Sequence, residues 1–322
     1  MSLSEFEIIA RYFAAHDRRA DVLLGIGDDA AVLDVRRDRK LVVATDTIVE
    51  GVHFPRHTAA ADVGYRALAV NLSDLAAMGA EPAWMTLSLS LPDASESWIA
   101  ELATGLFELA DRQQVVLVGG DTVRGPLVIT VQLAGWVEPD RWLTRCGAKP
   151  GDVLMISGVP GEAAAGLQVI QQQLSADTAA THLRQRFLRP EPRIALGRRL
   201  RTIASAAMDV SDGLLADLAK LCAVSNCGSQ LEIDRLPAST AMRELFAEDA
   251  CIDYALAGGD DYEIIFTVPP QQAAALAANA GEPPLTSIGV MTAGQGVQCT
   301  RGGAPFTPRR TGYDHFARSG QT

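Results

Sequence analysis

The chain has 322 residues, of which 48% are hydrophobic and 21% charged, and a formal net charge of -11. That length suits about two domains. The acidity argues against a nucleic-acid surface, which needs a basic face, and no apolar run reaches the roughly 18 residues of a membrane span. An acidic protein with an anionic substrate needs cations as intermediaries.

The cysteines (Cys146, Cys222, Cys227, Cys251 and Cys299) are scattered and form no Cys-x-x-Cys. They read as free thiols in a reducing compartment. Glu5 and Glu7 stand where a signal peptide would carry basic residues. The expectation is a cytoplasmic protein.

In chain order, Ser4 and Glu7 fit a capping box, and Ile9, Ala10 and Phe13 follow at helical spacing. The apolar stretch Val22 to Gly27 runs into Asp28 and Asp29. Leu41 to Ala44 reads as a buried strand, with Thr45, Asp46 and Thr47 offering oxygen ligands at its end. Gly51 and His53 come next. Thr58 to Gly79 predicts a helix in which Asn71 and Asp74, one turn apart, share a face. Ala83 to Leu91 alternates as a strand, and Ser95 to Arg112 reads as a helix with Trp98, Leu102, Leu106 and Leu109 inward. Val115 to Val118 predicts a strand that ends in Gly119-Gly120-Asp121-Thr122, where glycine amides can face an anion. Leu127 to Val137 is a further strand.

Glu138 to Asp152, with Pro139, Gly147, Pro150 and Gly151, marks the domain boundary, giving domains at 1–140 and 150–322. Val153 to Ser157 opens the second half as a strand. Gly158 to Gly161 then leads into a helix, either as an anion-holding N-terminus or as a simple turn. Ser175 to Thr181 is a polar loop, and Pro190-Glu191-Pro192 starts another helix. In Met208-Asp209-Val210-Ser211-Asp212-Gly213, Ser211 or Asp212 alone would be an N-cap; Asp209 has no such explanation. Gly258-Gly259-Asp260-Asp261-Tyr262-Glu263 leads into the strand Ile264 to Val268, and Gly312 to Phe316 forms the tail. The two halves repeat one outline, which predicts an α+β layout with strands of one half in a sheet or barrel.

The acids Asp29, Asp46, Asp74, Asp121, Asp209 and Asp212 stand at predicted element ends or on an apolar helix. Two carboxylates about 4 Å apart repel by roughly 4 kcal/mol at an effective dielectric near 20. A cluster of them therefore needs cations, and hard oxygen ligands select Mg²⁺ or Ca²⁺ over zinc. The sequence has no Gly-x-x-x-x-Gly-Lys-Ser/Thr loop, no Gly-x-Gly-x-x-Gly after a strand, no His-Arg-Asp with Asp-Phe-Gly and no His-Glu-x-x-His. Phosphate would be held by metals and glycine amides, helped by Arg124 or Arg145.

These blocks together resemble the thiamine-monophosphate kinase family, in the superfamily of aminoimidazole ribonucleotide synthetase and selenophosphate synthetase. The resemblance runs from about Glu5 to Phe316. It is carried by Gly25-Ile26-Gly27-Asp28-Asp29, Thr45-Asp46-Thr47 with Gly51-Val52-His53-Phe54, Asn71 to Gly79, Gly119 to Thr122, Leu143-Thr144-Arg145 with Gly147, Asp209 to Gly213, and Gly258 to Glu263. It implies a homodimer whose N-terminal halves pair into a β-barrel, with α/β C-terminal halves outside and ATP in a cleft between the halves under several Mg²⁺ ions. It assigns metal binding to Asp29, Thr45, Asp46, Asp74, Asp121, Asp209 and Asp212, and ATP contacts to Gly120, Asp121, Arg145 and Ser211. His53, Asp260 and Tyr313 would line the thiamine phosphate pocket. Of Asp28 and Asp29, the ligand is assigned to Asp29. Many relatives carry Glu at the Asp260 position and, near Ala103, a Tyr that packs on adenine.

The implied reaction is direct transfer of the ATP γ-phosphoryl group to thiamine phosphate, giving thiamine diphosphate without an enzyme nucleophile. The alternatives are a cyclising ligase of the same superfamily, which releases phosphate as well as ADP, and a binding protein without turnover. Selenophosphate synthesis lacks its N-terminal Cys in a Gly-rich loop.

Overall fold

The computed structural model describes residues 4–14, 19–27, 29–174, 177–278, 281 and 283–313. Asp28, Ser175, Ala176 and Asp314 to Phe316, which figure in the sequence reading, lie outside the described residues. The chain divides into two compact units, one of Met1–Leu75 with Ala80–Trp142, the other of Ala76–Gly79 with Leu143–Thr322.

The first unit opens on α1 (Glu5–Ile8), followed by a π-helical turn over Ile9–Phe13. The capping box forms: the Ser4 N–H donates to Glu7 Oε2 at 2.8 Å, and the Glu7 N–H donates to Ser4 Oγ at 3.4 Å. β1 (Val22–Leu24) and β2 (Val32–Leu33) pair antiparallel. The body of the unit is β3 (Lys40–Val49), α2 (Ala60–Ala77), β4 (Glu81–Leu91), α3 (Glu96–Gln113), β5 (Val116–Arg124) and β6 (Val128–Val137). Its strands lie in the order β3-β6-β4-β5, with β6 antiparallel to both neighbours and β4 parallel to β5.

Two of these strands run past their predicted ends. The Thr-Asp-Thr segment and the Gly-Gly-Asp-Thr segment lie inside β3 and β5, where polar and glycine residues are held by ladder bonds to β6 and β4. Apolar content alone could not show this, because an exposed sheet face accepts polar side chains.

Residues 63–73 of α2 are buried without interruption, Arg66, Asn71 and Ser73 among them, so the helix is packed on every face. Gly64 and Gly105 let α2 and α3 touch backbone to backbone. A Cβ at Gly64 would stand 2.0 Å from the Leu102 carbonyl oxygen, and one at Gly105 would stand 1.8 Å from that of Ala61. Trp84 and Trp136 meet edge to face at 4.9 Å.

The second unit contains β7 (Val153–Ser157), α4 (Glu162–Gln171), α5 (Thr178–Leu188), α6 (Ile194–Leu200), β8 (Ala206–Asp209), α7 (Leu214–Ser225) and β9 (Gly228–Glu232). After a 3₁₀ turn come α8 (Thr240–Leu245), α9 (Glu248–Ala257), β10 (Ile264–Val268), α10 (Pro270–Ala278), β11 (Leu285–Thr292), β12 (Gly296–Arg301) and β13 (Ala304–Phe306). The strands form one sheet in the order β13-β12-β9-β11-β7-β10-β8, antiparallel except for β12 with β9. Leu154, Ile156, Met208, Leu214, Leu218 and Ile265 belong to its main apolar core. The architecture is thus mixed α/β, and among the described residues neither sheet closes into a barrel. No described helix is long and apolar enough to cross a membrane.

Replacing Gly105 by Ala should separate α2 from α3 and cost about 1–3 kcal/mol in urea unfolding. A variant as stable as the parent would mean the two helices part freely.

Candidate active site

In the first unit the register sorts the candidate residues by face. Residues directly opposite across a ladder point the same way. Thr47 on β3 faces Thr130 on β6, which faces Ser88 on β4, which faces Asp121 on β5. The hydroxyls of Thr47 and Thr130 are 2.8 Å apart, as one shared face requires. The adjacent row is Asp46, Val131, Leu87 and Gly120. It points to the other face, where Val131 and Leu87 are buried.

Asp46 is held from that side by α2. Its N–H donates to Asn71 Oδ1 at 2.9 Å, and the Asn71 amide donates to the Ala67 carbonyl at 3.0 Å. Asn71 is fully buried, and Asp74, one turn on, is half-buried. The helix pair seen in the sequence therefore divides its labour: Asn71 fixes the strand, and Asp74 is the candidate ligand. Thr45 Oγ1 donates to the Val131 carbonyl at 3.2 Å. His53, in the turn after β3, accepts the Val49 N–H on Nδ1 at 3.0 Å, so the neutral ring carries its proton on Nε2.

Asp29, Gly119, Gly120, Asp121 and Thr122 line one cleft of about 640 Å³, whose apolar wall includes Ile9 and Phe13. Gly120 is needed for packing, since a Cβ there would stand 2.0 Å from the Leu87 carbonyl oxygen. Ala103 is buried in α3.

Asp46 and Asp121 are not neighbours within one chain. Their strands are at opposite ends of the four-stranded order, and three inter-strand steps span roughly 14 Å. Among the described residues no group of three or more His, Cys, Asp or Glu side chains is placed to hold a metal ion.

In the second unit three loops are laced together by backbone bonds. The Asp260 N–H donates to the Ser211 carbonyl at 2.8 Å, the Tyr262 N–H to Val210 at 2.9 Å, and the Tyr313 N–H to Asp212 at 2.9 Å. Ser211, Asp212, Asp260 and Tyr313 are thereby brought together. Asp209, buried at the end of β8, leads into the first of these loops. Arg145 is exposed and follows Thr144, whose carbonyl accepts the Ala207 N–H at 2.8 Å, so it flanks the same strand.

Neither Ser211 nor Asp212 caps α7; the N-cap is Gly213. The loop amides are instead held by Asp217, a fully buried acid outside the candidate ligands. One of its oxygens accepts the N–H groups of Ser211 at 2.9 Å and Asp212 at 3.0 Å. Burial pushes the Asp217 carboxyl up, although a hydrogen bond from Lys220 opposes that. Lys220 Nζ reaches Asp217 Oδ1 at 2.8 Å and also Asp212 Oδ2. The available signal was an acid inside the apolar run Leu214 to Ala223.

The glycine-rich entry to α4 does hold an acid, but it is the protein's own. Asp261 accepts the Gly161 N–H at 2.7 Å and the Ala163 N–H at 3.3 Å. Its burial raises its carboxyl well above the usual range. Glu263, also fully buried, accepts from Ser157 Oγ at 2.6 Å, Arg193 Nε at 2.7 Å and Arg186 Nη2 at 2.7 Å. Burial pushes Glu263 up, but the hydrogen bond and charge of Arg193 and the charge of Arg186 outweigh it and hold the carboxyl below its ordinary value. Asp260 and Tyr262, on either side of Asp261, adopt positive φ of 61° and 51°, and the Tyr262 hydroxyl donates to Asp260 Oδ1 at 3.1 Å.

Comparison with known proteins gives matches over both units. Residues 27–137 match the family described as AIR synthase related protein, N-terminal domain, and residues 149–301 its C-terminal domain. The chain is 47% identical to the thiamine-monophosphate kinase of Salmonella typhimurium, over 98% of this chain and 99% of that protein. It is 46% identical to that of Escherichia coli with the same coverage. Among solved structures, the thiamine-monophosphate kinase of Stenotrophomonas maltophilia superposes with a TM-score of 0.87 at 49% identity, covering 95% of this chain and 99% of that one. A structure described as AaThiL complexed with AMPPCP and TMP superposes with a TM-score of 0.78 at 33% identity, covering 90% and 92%.

The buried pairing at Glu263 gives a stability test with a defined sign. A carboxyl held low in the fold contributes above its unfolded pKa and loses that contribution as pH falls through the folded value. Glu263→Gln should therefore cost about 3–5 kcal/mol at pH 7. In thermal melts the deficit should shrink as the parent's own Glu263 protonates in acid. An equal deficit at all pH values would show that charge plays no part.

Proposed function

The chain belongs to the thiamine-monophosphate kinase family, and from that premise we propose how its residues divide the reaction. It phosphorylates thiamine phosphate with ATP as co-substrate, giving thiamine diphosphate. The observation that carries this is the 47% identity over 98% of the chain and 99% of the relative. The acceptor is already an anionic phosphate oxygen and needs little deprotonation. Catalysis then consists of aligning two anions and offsetting their repulsion, with no covalent enzyme intermediate.

The donor set fits Mg²⁺. That ion takes one or two carboxylates and leaves its other positions to phosphate and water, so it has no need of a three-acid cage. Bound there, Mg²⁺ would supply charge neutralisation at the transferring group. In this reading Asp29, Thr45, Asp46, Asp74 and Asp121 hold Mg²⁺ from the first unit, and Asp209 and Asp212 from the second. Gly120 and Asp121 bind ATP from β5, Ser211 offers a hydroxyl, and Arg145 offers a permanent positive charge to phosphate. His53, Asp260 and Tyr313 receive thiamine phosphate, where an aromatic ring and a carboxylate suit its cationic thiazolium. The location we propose is cytoplasmic.

The same reading gives β3 and β5, at opposite ends of the four-stranded order, a way to meet. The first unit's sheet exposes Leu41, Val43 and Val123, an apolar surface that suits a second copy of the chain. In the homodimer we propose, two four-stranded sheets close into one barrel. With the two-fold axis along the barrel, β5 of one protomer lies beside β3 of its partner. Asp121 then comes to the strand whose Thr45 and Thr47 share its sheet face, with the partner's Asp46 between them on the α2 side, and each site draws on both chains.

Protein mixed with Mg-ATP and thiamine phosphate should yield thiamine diphosphate and ADP without inorganic phosphate, followed by chromatography; phosphate release would favour a ligase. EDTA should abolish turnover, and Mg²⁺ should restore it. Asp46→Asn and Asp121→Asn should each lower kcat on the order of a hundredfold with little change in Tm. Co-refolding the two variants should recover about a quarter of the parent rate, because half the dimers are mixed and each has one intact site. No recovery would exclude the shared site.

A further inference from the structure

We propose that Lys220 is a built-in competitor for the divalent ion at Asp212, so that this chain binds metal in its second unit more weakly than its carboxylates alone would allow. The inference rests on the assignment of Asp212 as a metal ligand.

Lys220 holds two carboxylates with one ammonium, one of them buried and the other part-exposed. Its Nζ donates to Asp217 Oδ1 at 2.8 Å, a carboxylate with no exposed side-chain surface, and it also pairs with Asp212 Oδ2. The Lys220 and Asp212 side chains keep 42% and 35% of their surface. Asp217 cannot release the ammonium cheaply, because a buried carboxylate stripped of its countercharge is costly. The other Asp217 oxygen holds the amides of Ser211 and Asp212, so the loop and the lysine are fixed to one point. Asp217 and Lys220 lie three apart on α7, which keeps both on one face. A divalent ion arriving at Asp212 therefore meets a positive charge already on one of its oxygens. It must displace or share that contact and bear the repulsion of the ammonium.

The test follows Tm against Mg²⁺ concentration, with ATP saturating and thiamine phosphate omitted, so that binding is read without turnover. Lys220→Gln keeps a hydrogen-bond donor for Asp217 but removes the charge. It should move the Mg²⁺ midpoint down by roughly threefold or more, while Lys220→Arg should stay near the parent. In an Asp212→Asn background, Lys220→Gln should leave the midpoint unchanged, as a coupled pair requires. A midpoint that stays put or rises in Lys220→Gln, while Asp212→Asn alone raises it, overturns the competition. If Asp212→Asn alone has no effect, the ligand assignment itself fails.

Discussion

Asp261 and Glu263 are both buried, two residues apart at the entry to β10, and neither can leave water without a partner. The structure gives them different ones. Asp261 takes the first amides of α4, where the helix end carries partial positive charge. Glu263 takes two arginines and a serine. Arg186 also donates to Glu162, the first residue of α4, at 3.0 Å, so both solutions meet on one helix. Between and beside these fixed points, Asp260 and Tyr262 are held at positive φ, which non-glycine residues rarely adopt without surrounding constraint. The buried acids thus set the conformation of the loop that presents Asp260.

The first unit achieves the same precision with neutral groups. The amide of Asn71 bridges α2 and β3, and Gly64 and Gly105 bring α2 against α3. Overlap distances near 2 Å leave no room for a methyl group, so the position of α2 relative to α3 follows from the backbone itself. Asp74 inherits that position because it lies one turn from Asn71. A half-buried carboxylate on so buried a helix needs a fixed frame to act as a ligand.

Much of this was legible in the sequence, and the failures share a cause. The capping box at Ser4, the helices around Leu68 and Leu102 and the strand Val153–Ser157 all follow from local pattern. β3 and β5 run further than local pattern shows, because Thr45 to Thr47 and Gly119 to Thr122 are polar or glycine and owe their strand form to β6 and β4. An anion at α4 was legible as a possibility, but the acid that stands there was not, since Asp261 is a hundred positions away in the chain. Asp217 was hidden for the opposite reason: its partners are so near that a capping role for Ser211 or Asp212 explained the segment adequately. Spacing shows which acids share a helix face, but it does not show which loop amide an acid turns back to hold.

The acids of this chain fall into two kinds by the cations they meet. Glu162 and Glu263 are met by arginine, and Asp217 by lysine; these are permanent charges on the same chain, and the acids they hold give shape. A metal ligand needs the reverse, a cation that arrives with substrate and leaves with product. Asp212 stands on the border, because it shares Lys220 with Asp217 while its own carbonyl holds Tyr313 and its neighbour Ser211 holds Asp260. A single lysine therefore connects a residue that holds the loop to one placed to bind the ion. The strength of metal binding in the second unit follows from how that one positive charge is divided.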